Sequence, residues 1–141
     1  MKETNASGVR DTGMYIQSEA ECESFVANDG CTIIELMHPK RMGIDLEKAL
    51  GFSLAIAEVA VHEETYRHVL AHHEVYYLLS GVGEMHVDDN TALVRAGDAV
   101  LIPAGSVQWI KNIGDSVLKF AAIVSPPWSC LLYTSPSPRD C

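Results

Sequence analysis

Basic residues are scarce in this chain: ten Lys and Arg stand against nineteen Asp and Glu, for a net charge of −9 and a pI near 5.0. Such a surface repels phosphate backbones and anionic lipids, which argues against nucleic-acid and membrane partners. Neutral ligands such as sugars, or cations, suit it better. Long apolar runs are also missing: no stretch of 18 or more apolar residues occurs, so no membrane-spanning helix is expected. The opening residues Met1–Ala6 lack the apolar stretch of a secretory signal, which leans towards the cytoplasm and leaves the compartment open.

Cysteine is sparse and unpatterned. Cys22, Cys31, Cys130 and Cys141 form no C-x-x-C pair, which argues against a thiolate metal site and leaves a Cys22–Cys31 disulfide as the alternative to free thiols. Equally absent are a G-x-S-x-G nucleophile turn, a phosphate-binding P-loop and a dinucleotide fingerprint. Glu63 and Glu64 are adjacent, so on a strand they point to opposite faces and do not make a working carboxylate pair.

What is present is a single-domain chain of 141 residues, 48% hydrophobic, long enough to bury its own core. Residues 1–22 read as a flexible arm. Between 23 and 37 two short apolar runs flank Asn28-Asp29-Gly30, and Asx-Gly is a hairpin turn signal. Residues 38–50 read as a loop with one helical turn at Leu46–Leu50. From Phe52 the texture is all-β, with strands expected at 52–61, 74–80, 83–87, 92–94, 99–102, 108–112 and 118–124, punctuated by Gly, Asp, Asn and Pro. Short strands with turn signals every few residues indicate a sandwich or barrel. The tail 129–141 is Ser/Pro-containing and resembles translated cloning or adaptor sequence. It is expected to be disordered or non-native and takes no part in the functional reading.

Two segments carry chemistry. Gly97 to Asn112 reads G-x5-P-x-G-x2-Q-x3-N, with Pro103, Gly105 and Gln108 at the fixed places. His68, Glu74 and Gly81 fall in the frame H-x5-E-x6-G. These patterns resemble the two motifs of the cupin superfamily, G-x5-H-x-H-x3,4-E-x6-G and G-x5-P-x-G-x2-H-x3-N, over a little more than half of the chain. Leu70 stands at the second histidine place, Gln108 at the last, and the leading glycine is missing. Gly81, Gly97, Pro103 and Gly105 are read as turn residues.

The resemblance implies an all-β, single-domain cupin, a jelly-roll-like β-barrel spanning 23–128. It also implies one divalent metal ion held by His68, by His72 or His73, and by Gln108 through its carbonyl oxygen. Strict strand alternation favours His72; the loop-to-strand junction leaves His73 as the alternative. Glu74 is a fourth ligand or a proton-handling group and, with Tyr66, a catalytic candidate. Imidazole and carboxylate donors suit Zn, Cu, Fe, Ni or Mn, and a histidine-rich site favours copper. In the metal-free alternative Gln108 only hydrogen-bonds Glu74 or water. Tyr66, Tyr76 and Trp109 flank the ligands as sugar platforms or as core; His38, His62 and His86 are read as surface or core. The function implied is a copper oxidoreductase using O2 or H2O2 on a carbohydrate, in its sharpest form oxidative cleavage of a glycan such as cellulose. Alternatives are a sugar isomerase or lyase using Zn or Mn, and a non-catalytic ligand-binding cupin. A homodimer built on residues 23–37 is expected by the same analogy.

Overall fold

The computed structural model describes residues 16–27, 29–38 and 50–127, together with the backbone of 133–134. Eleven strands follow in chain order: β1 Ser24–Val26, β2 Thr32–Met37, β3 Ser53–Val59, β4 His68–Leu70, β5 His73–Ser80, β6 Val82–Val87, β7 Asn90–Arg95, β8 Ala99–Ile102, β9 Val107–Asn112, β10 Leu118–Ser125 and β11 Tyr133–Thr134. They form a six-stranded sheet in the order β1-β2-β3-β10-β5-β8 and a five-stranded sheet in the order β11-β4-β9-β6-β7. Every named pairing is antiparallel. The two sheets stay separate rather than closing by hydrogen bonds into one barrel.

Alternation explains why these segments are strands. Along β10, Leu118, Phe120, Ala122 and Val124 are buried while Lys119, Ala121 and Ile123 between them are not. On β9 the inward set is Gln108, Ile110 and Asn112. The core joins both sheets, with Ala57, Tyr76, Leu78 and Phe120 from one meeting Met85, Val94 and Ile110 from the other. Gly81 makes the tight β5–β6 turn at φ 91°, where an added Cβ would stand 2.9 Å from the Leu118 Cα, so only glycine fits.

Most expected strands recur within a residue or two. The short strand β4 was not expected, and it carries His68. The β1–β2 hairpin forms as anticipated, with Phe25 opposite Ile33. Within the segment assigned to the arm, Glu19–Glu21 makes a 3-10 turn, and Glu19 Oε2 lies 2.7 Å from Lys119 Nζ on β10. Cys22 and Cys31 are free thiols. The helical turn expected at 46–50, and Cys130 and Cys141, fall outside the described residues apart from Leu50, which has no helical structure. In the tail set aside from the functional reading, β11 pairs with β4.

Candidate functional site

The site starts with a cross-strand pair. In the β4–β9 ladder His68 lies opposite Gln108, so both side chains point to the same, interior face. Both are fully buried, at 1% and 0% exposure. Glu74 reaches in from β5 in the other sheet, and the Gln108 Nε2 amide donates to Glu74 Oε1 at 3.1 Å. Two residues along β5, the Tyr76 hydroxyl donates to Gln108 Oε1 at 3.1 Å. The amide therefore has a fixed sense, oxygen towards Tyr76 and nitrogen towards the carboxyl.

His68 is anchored from behind. Its Nδ1 sits 2.8 Å from the Tyr66 carbonyl oxygen, and because a carbonyl only accepts, Nδ1 carries the proton. In the neutral ring this leaves the Nε2 lone pair facing the interior, the arrangement in which histidine ligates metals. There it looks towards Asp29 Oδ2, 3.8 Å away. Asp29 belongs to the β1–β2 turn and is itself buried. Its Oδ1 accepts from the Cys31 backbone N–H at 3.0 Å, and its carbonyl accepts from the Tyr66 N–H at 2.6 Å.

Burial sets the protonation of these groups. Loss of solvent pushes the Glu74 carboxyl up to about 8; the nearby Asp29 charge adds to the rise and the Gln108 hydrogen bond opposes it. Near neutral pH, then, Glu74 is mostly protonated. Burial lowers the His68 imidazole, with Asp29 opposing, so the ring is neutral. The Cys31 thiol is raised, first by burial and then by Asp29 and Glu74, which keeps it from acting as a thiolate. Asp29 and Glu74 help wall a cavity of about 20 Å³ that also touches Cys31, Glu35, Ser53 and Tyr76. That is room for an ion or a water and not for a sugar ring. Among the described residues its wall contains no lysine or arginine.

His73 is exposed, and its Nδ1 accepts the Ala104 backbone N–H at 3.0 Å, which holds the ring on the Pro103–Gly105 turn. His72 precedes β5 and is half-buried. Tyr66 is exposed at 42% and serves the site through its backbone, giving its N–H to Asp29 and its carbonyl to His68. Trp109 does not flank the pair: alternation turns it to the opposite face, where it stacks on His86 at 4.1 Å with Arg67 4.3 Å from the ring centroid. Tyr76 is buried and packs on Phe120 at 4.2 Å. His38 is buried and His62 is exposed.

Asp29 was read only as part of a turn signal, and Cys31 only as a disulfide candidate. No local pattern announces either, because their contacts with β4 and β5 are long-range.

Among the described residues, no three His, Cys, Asp or Glu side chains stand together as a formed metal cage. The residue types nevertheless fit a divalent cation: a neutral imidazole in the ligating tautomer and two carboxyls, beside an amide whose oxygen is turned to Tyr76.

Comparison with known proteins agrees with this frame. The chain is 36% identical over 106 residues to an uncharacterized protein of Methanocaldococcus jannaschii, an alignment spanning 74% of this chain and 81% of that one. It is 33% identical over 51 residues to the oxalate-binding protein of Thermotoga maritima, covering 36% of this chain and 42% of that one. Among solved structures, a predicted oxalate decarboxylase of Thermotoga maritima superposes with a TM-score of 0.66 at 20% identity, over 77% of this chain and 96% of that one. Oxalate decarboxylase of Bacillus subtilis gives 0.68 at 21% identity, over 84% of this chain and 30% of that one. At these identities the two structures speak for the fold alone. The family model described as a cupin domain matches residues 55–124, and with the motifs and the two-sheet architecture already described, the chain belongs to the cupin family.

Proposed function

We propose that this cupin holds one divalent cation on His68 and Glu74, with Gln108 as a further ligand once its amide oxygen turns from Tyr76 to the ion, and acts, as a metal-dependent oxidoreductase, on a small chelating acid of oxalate's size. The observation that carries the reading is the buried His68–Gln108 pair, bonded to Glu74 across the sheets, with the His68 Nε2 lone pair turned inward. When bound, the ion supplies Lewis-acid polarisation and, if redox-active, an electron. The chain's own groups do the rest. Tyr66 fixes the imidazole, Tyr76 and Gln108 orient Glu74, and Glu74, protonated near neutral pH in the metal-free chain, would give up that proton on taking the ion.

Two features support a small acid over a sugar. The cavity of about 20 Å³ excludes a sugar ring, and one relative is described as an oxalate-binding protein. A carboxylate ligand entering a wall whose charged members are Asp29, Glu35 and Glu74 needs the ion's charge to be held. Ligand binding is therefore expected to require the metal.

The donor set also bears on which ion. With His73 held on Ala104, His68 is the imidazole seen beside these oxygen donors among the described residues, which favours manganese or iron over copper. The copper version, with O2 or H2O2 and a carbohydrate or cellulose substrate, needs a second inward imidazole. His72, half-buried before β5, is the residue that would supply it.

Elemental analysis with electron paramagnetic resonance decides among these. Stoichiometric manganese or iron in an oxygen-rich site, and oxalate binding by calorimetry only in its presence, is the expected result. A type-2 copper spectrum with several nitrogens would move the reading to the copper oxidase. Zinc without redox cycling would move it to isomerase or lyase chemistry, and no tight metal at all to a ligand-binding cupin.

For the homodimer, expected on residues 23–37, we propose a different face, the outer side of the six-stranded sheet. Leu101, Val75, Ile123 and Leu54 stand in register there across four strands, with Leu101 64% exposed and Tyr77 45%. An unbroken apolar row on an outer face matches the same row on a second copy. Leu101→Glu should give monomers in sedimentation where the parent sediments as a dimer; an unchanged species would remove this face from the interface.

A further inference from the structure

We infer that Asp29, carried in by the β1–β2 turn, is an additional ligand to this cation, supplying the donor that Leu70 cannot. The inference rests on the metal-centre reading above and adds a residue that lies outside the cupin-domain match at 55–124.

Leu70 occupies the second histidine place, is 1% exposed and has no donor atom. Something else must complete the ion's surroundings, and it must come from a neighbouring element. Asp29 Oδ2 is the carboxylate oxygen 3.8 Å from His68 Nε2. Two donors that each stand about 2.1 Å from one ion lie roughly 3.0–3.5 Å apart. The observed gap is slightly wider than that and longer than a hydrogen bond, as for donors set around a point between them.

The electronics agree. The Tyr66 carbonyl takes the Nδ1 proton of His68, so in the neutral ring the lone pair of Nε2 faces the oxygen of a carboxylate. In the neutral ring these two electron-rich atoms repel, and a cation between them turns the contact favourable. Once the ion displaces the Glu74 proton, Asp29 and Glu74 together would supply the two negative charges that neutralise a divalent ion.

Asp29 is held in place before any ion arrives. Its Oδ1 is tied to the Cys31 N–H and its carbonyl to the Tyr66 N–H, while the Tyr66 carbonyl holds His68. A single backbone residue, Tyr66, thus spaces the two donors. The Tyr66 ring closes the arrangement, 3.4 Å from where a Cβ would stand on Gly30.

The test is Mn2+ calorimetry and Co2+ absorption spectroscopy on the full chain, comparing the parent with Asp29→Asn, Asp29→Glu and His68→Ala. Asparagine keeps the Oδ1 acceptor for Cys31, so the turn survives and only the charged donor is lost; circular dichroism checks this. Asp29→Asn should weaken Mn2+ about 10- to 100-fold and alter the Co2+ bands. Asp29→Glu should recover part of the affinity with bands unlike the parent's. Parent-like affinity and bands in both Asp29 variants, with loss in His68→Ala, would overturn the role of Asp29 and leave the metal centre standing. A parent chain that binds neither ion would overturn both. Should Asp29→Asn fail to fold, the Co2+ bands of Asp29→Glu decide alone: shifted bands support ligation and identical bands overturn it.

Discussion

The interior of this cupin has two ends, sharing β5 and β9 and opposite in chemistry. At one, Leu78, Ile110, Leu118 and Phe120 are at most 1% exposed and pack into one apolar cluster. At the other, Asp29, His68, Glu74 and Gln108 are nearly as buried, yet every one is polar. On β9 the boundary falls between Gln108 and Ile110; on β5 it runs from Glu74 through Tyr76 to Leu78. Two residues of a strand, about 6.6 Å, separate the regimes. The apolar end gains free energy on folding by leaving water. The polar end costs free energy for the same reason and is tolerated because each group has a partner. Stability should therefore be lost from one end and chemistry from the other.

The sharpest way to break this contrast is at its dry end. Leu118→Ala should cost about 2–5 kcal/mol in denaturant unfolding, while the fraction that remains folded keeps its metal stoichiometry. Loss of metal from the folded fraction would mean that the two ends are not separable.

Glu74 offers the next largest effect. Its carboxyl is raised from 4.5 to about 8, so the folded state holds a proton that the unfolded state releases. That contribution to stability is complete below about 4.5 and is lost as pH rises through about 8. Metal-free protein should lose at most about 1.4 kcal/mol per pH unit across this window, and Glu74→Gln should flatten the decline. A variant with the same slope as its parent would place the proton elsewhere.

Asn112, the last residue of the second motif, comes third. Its Nδ2 donates to the carbonyls of Val59 and Ser116 at 2.9 and 2.8 Å, and its Oδ1 accepts from Gly114 at 2.9 Å. Asn112→Ala should cost about 1–3 kcal/mol with metal affinity unchanged, since the residue belongs to turn architecture. The smallest effect belongs to the exposed Glu19–Lys119 pair, where Glu19→Ala should change stability by less than about 0.5 kcal/mol.

Legibility in the sequence followed the range of the interactions. Strands from Glu74 onward could be read because alternation and turn residues are local, and the motif spacing placed His68, Glu74 and Gln108 together. β4 escaped notice because three residues carry no period. The His72/His73 choice was open for a related reason: β5 begins at His73, so alternation governs His73 and says nothing firm about His72. The Ala104 N–H that captures His73 lies 31 residues away, beyond any local rule. Asp29 was least legible. An Asx-Gly turn explains it completely in local terms, and only the folded hairpin shows its second oxygen turned towards His68.

That turn has a consequence for comparing relatives. If the acid of the β1–β2 turn compensates for the missing histidine, the two positions are substitutable and should trade places among related chains. Members with histidine where this chain has Leu70 have no need of an acid in the hairpin, and members with an apolar residue there should keep one. An alignment of the hairpin, which lies upstream of the segment by which the family is recognised, can be scored for that exchange. Grafting a histidine at position 70 should then free position 29 to vary.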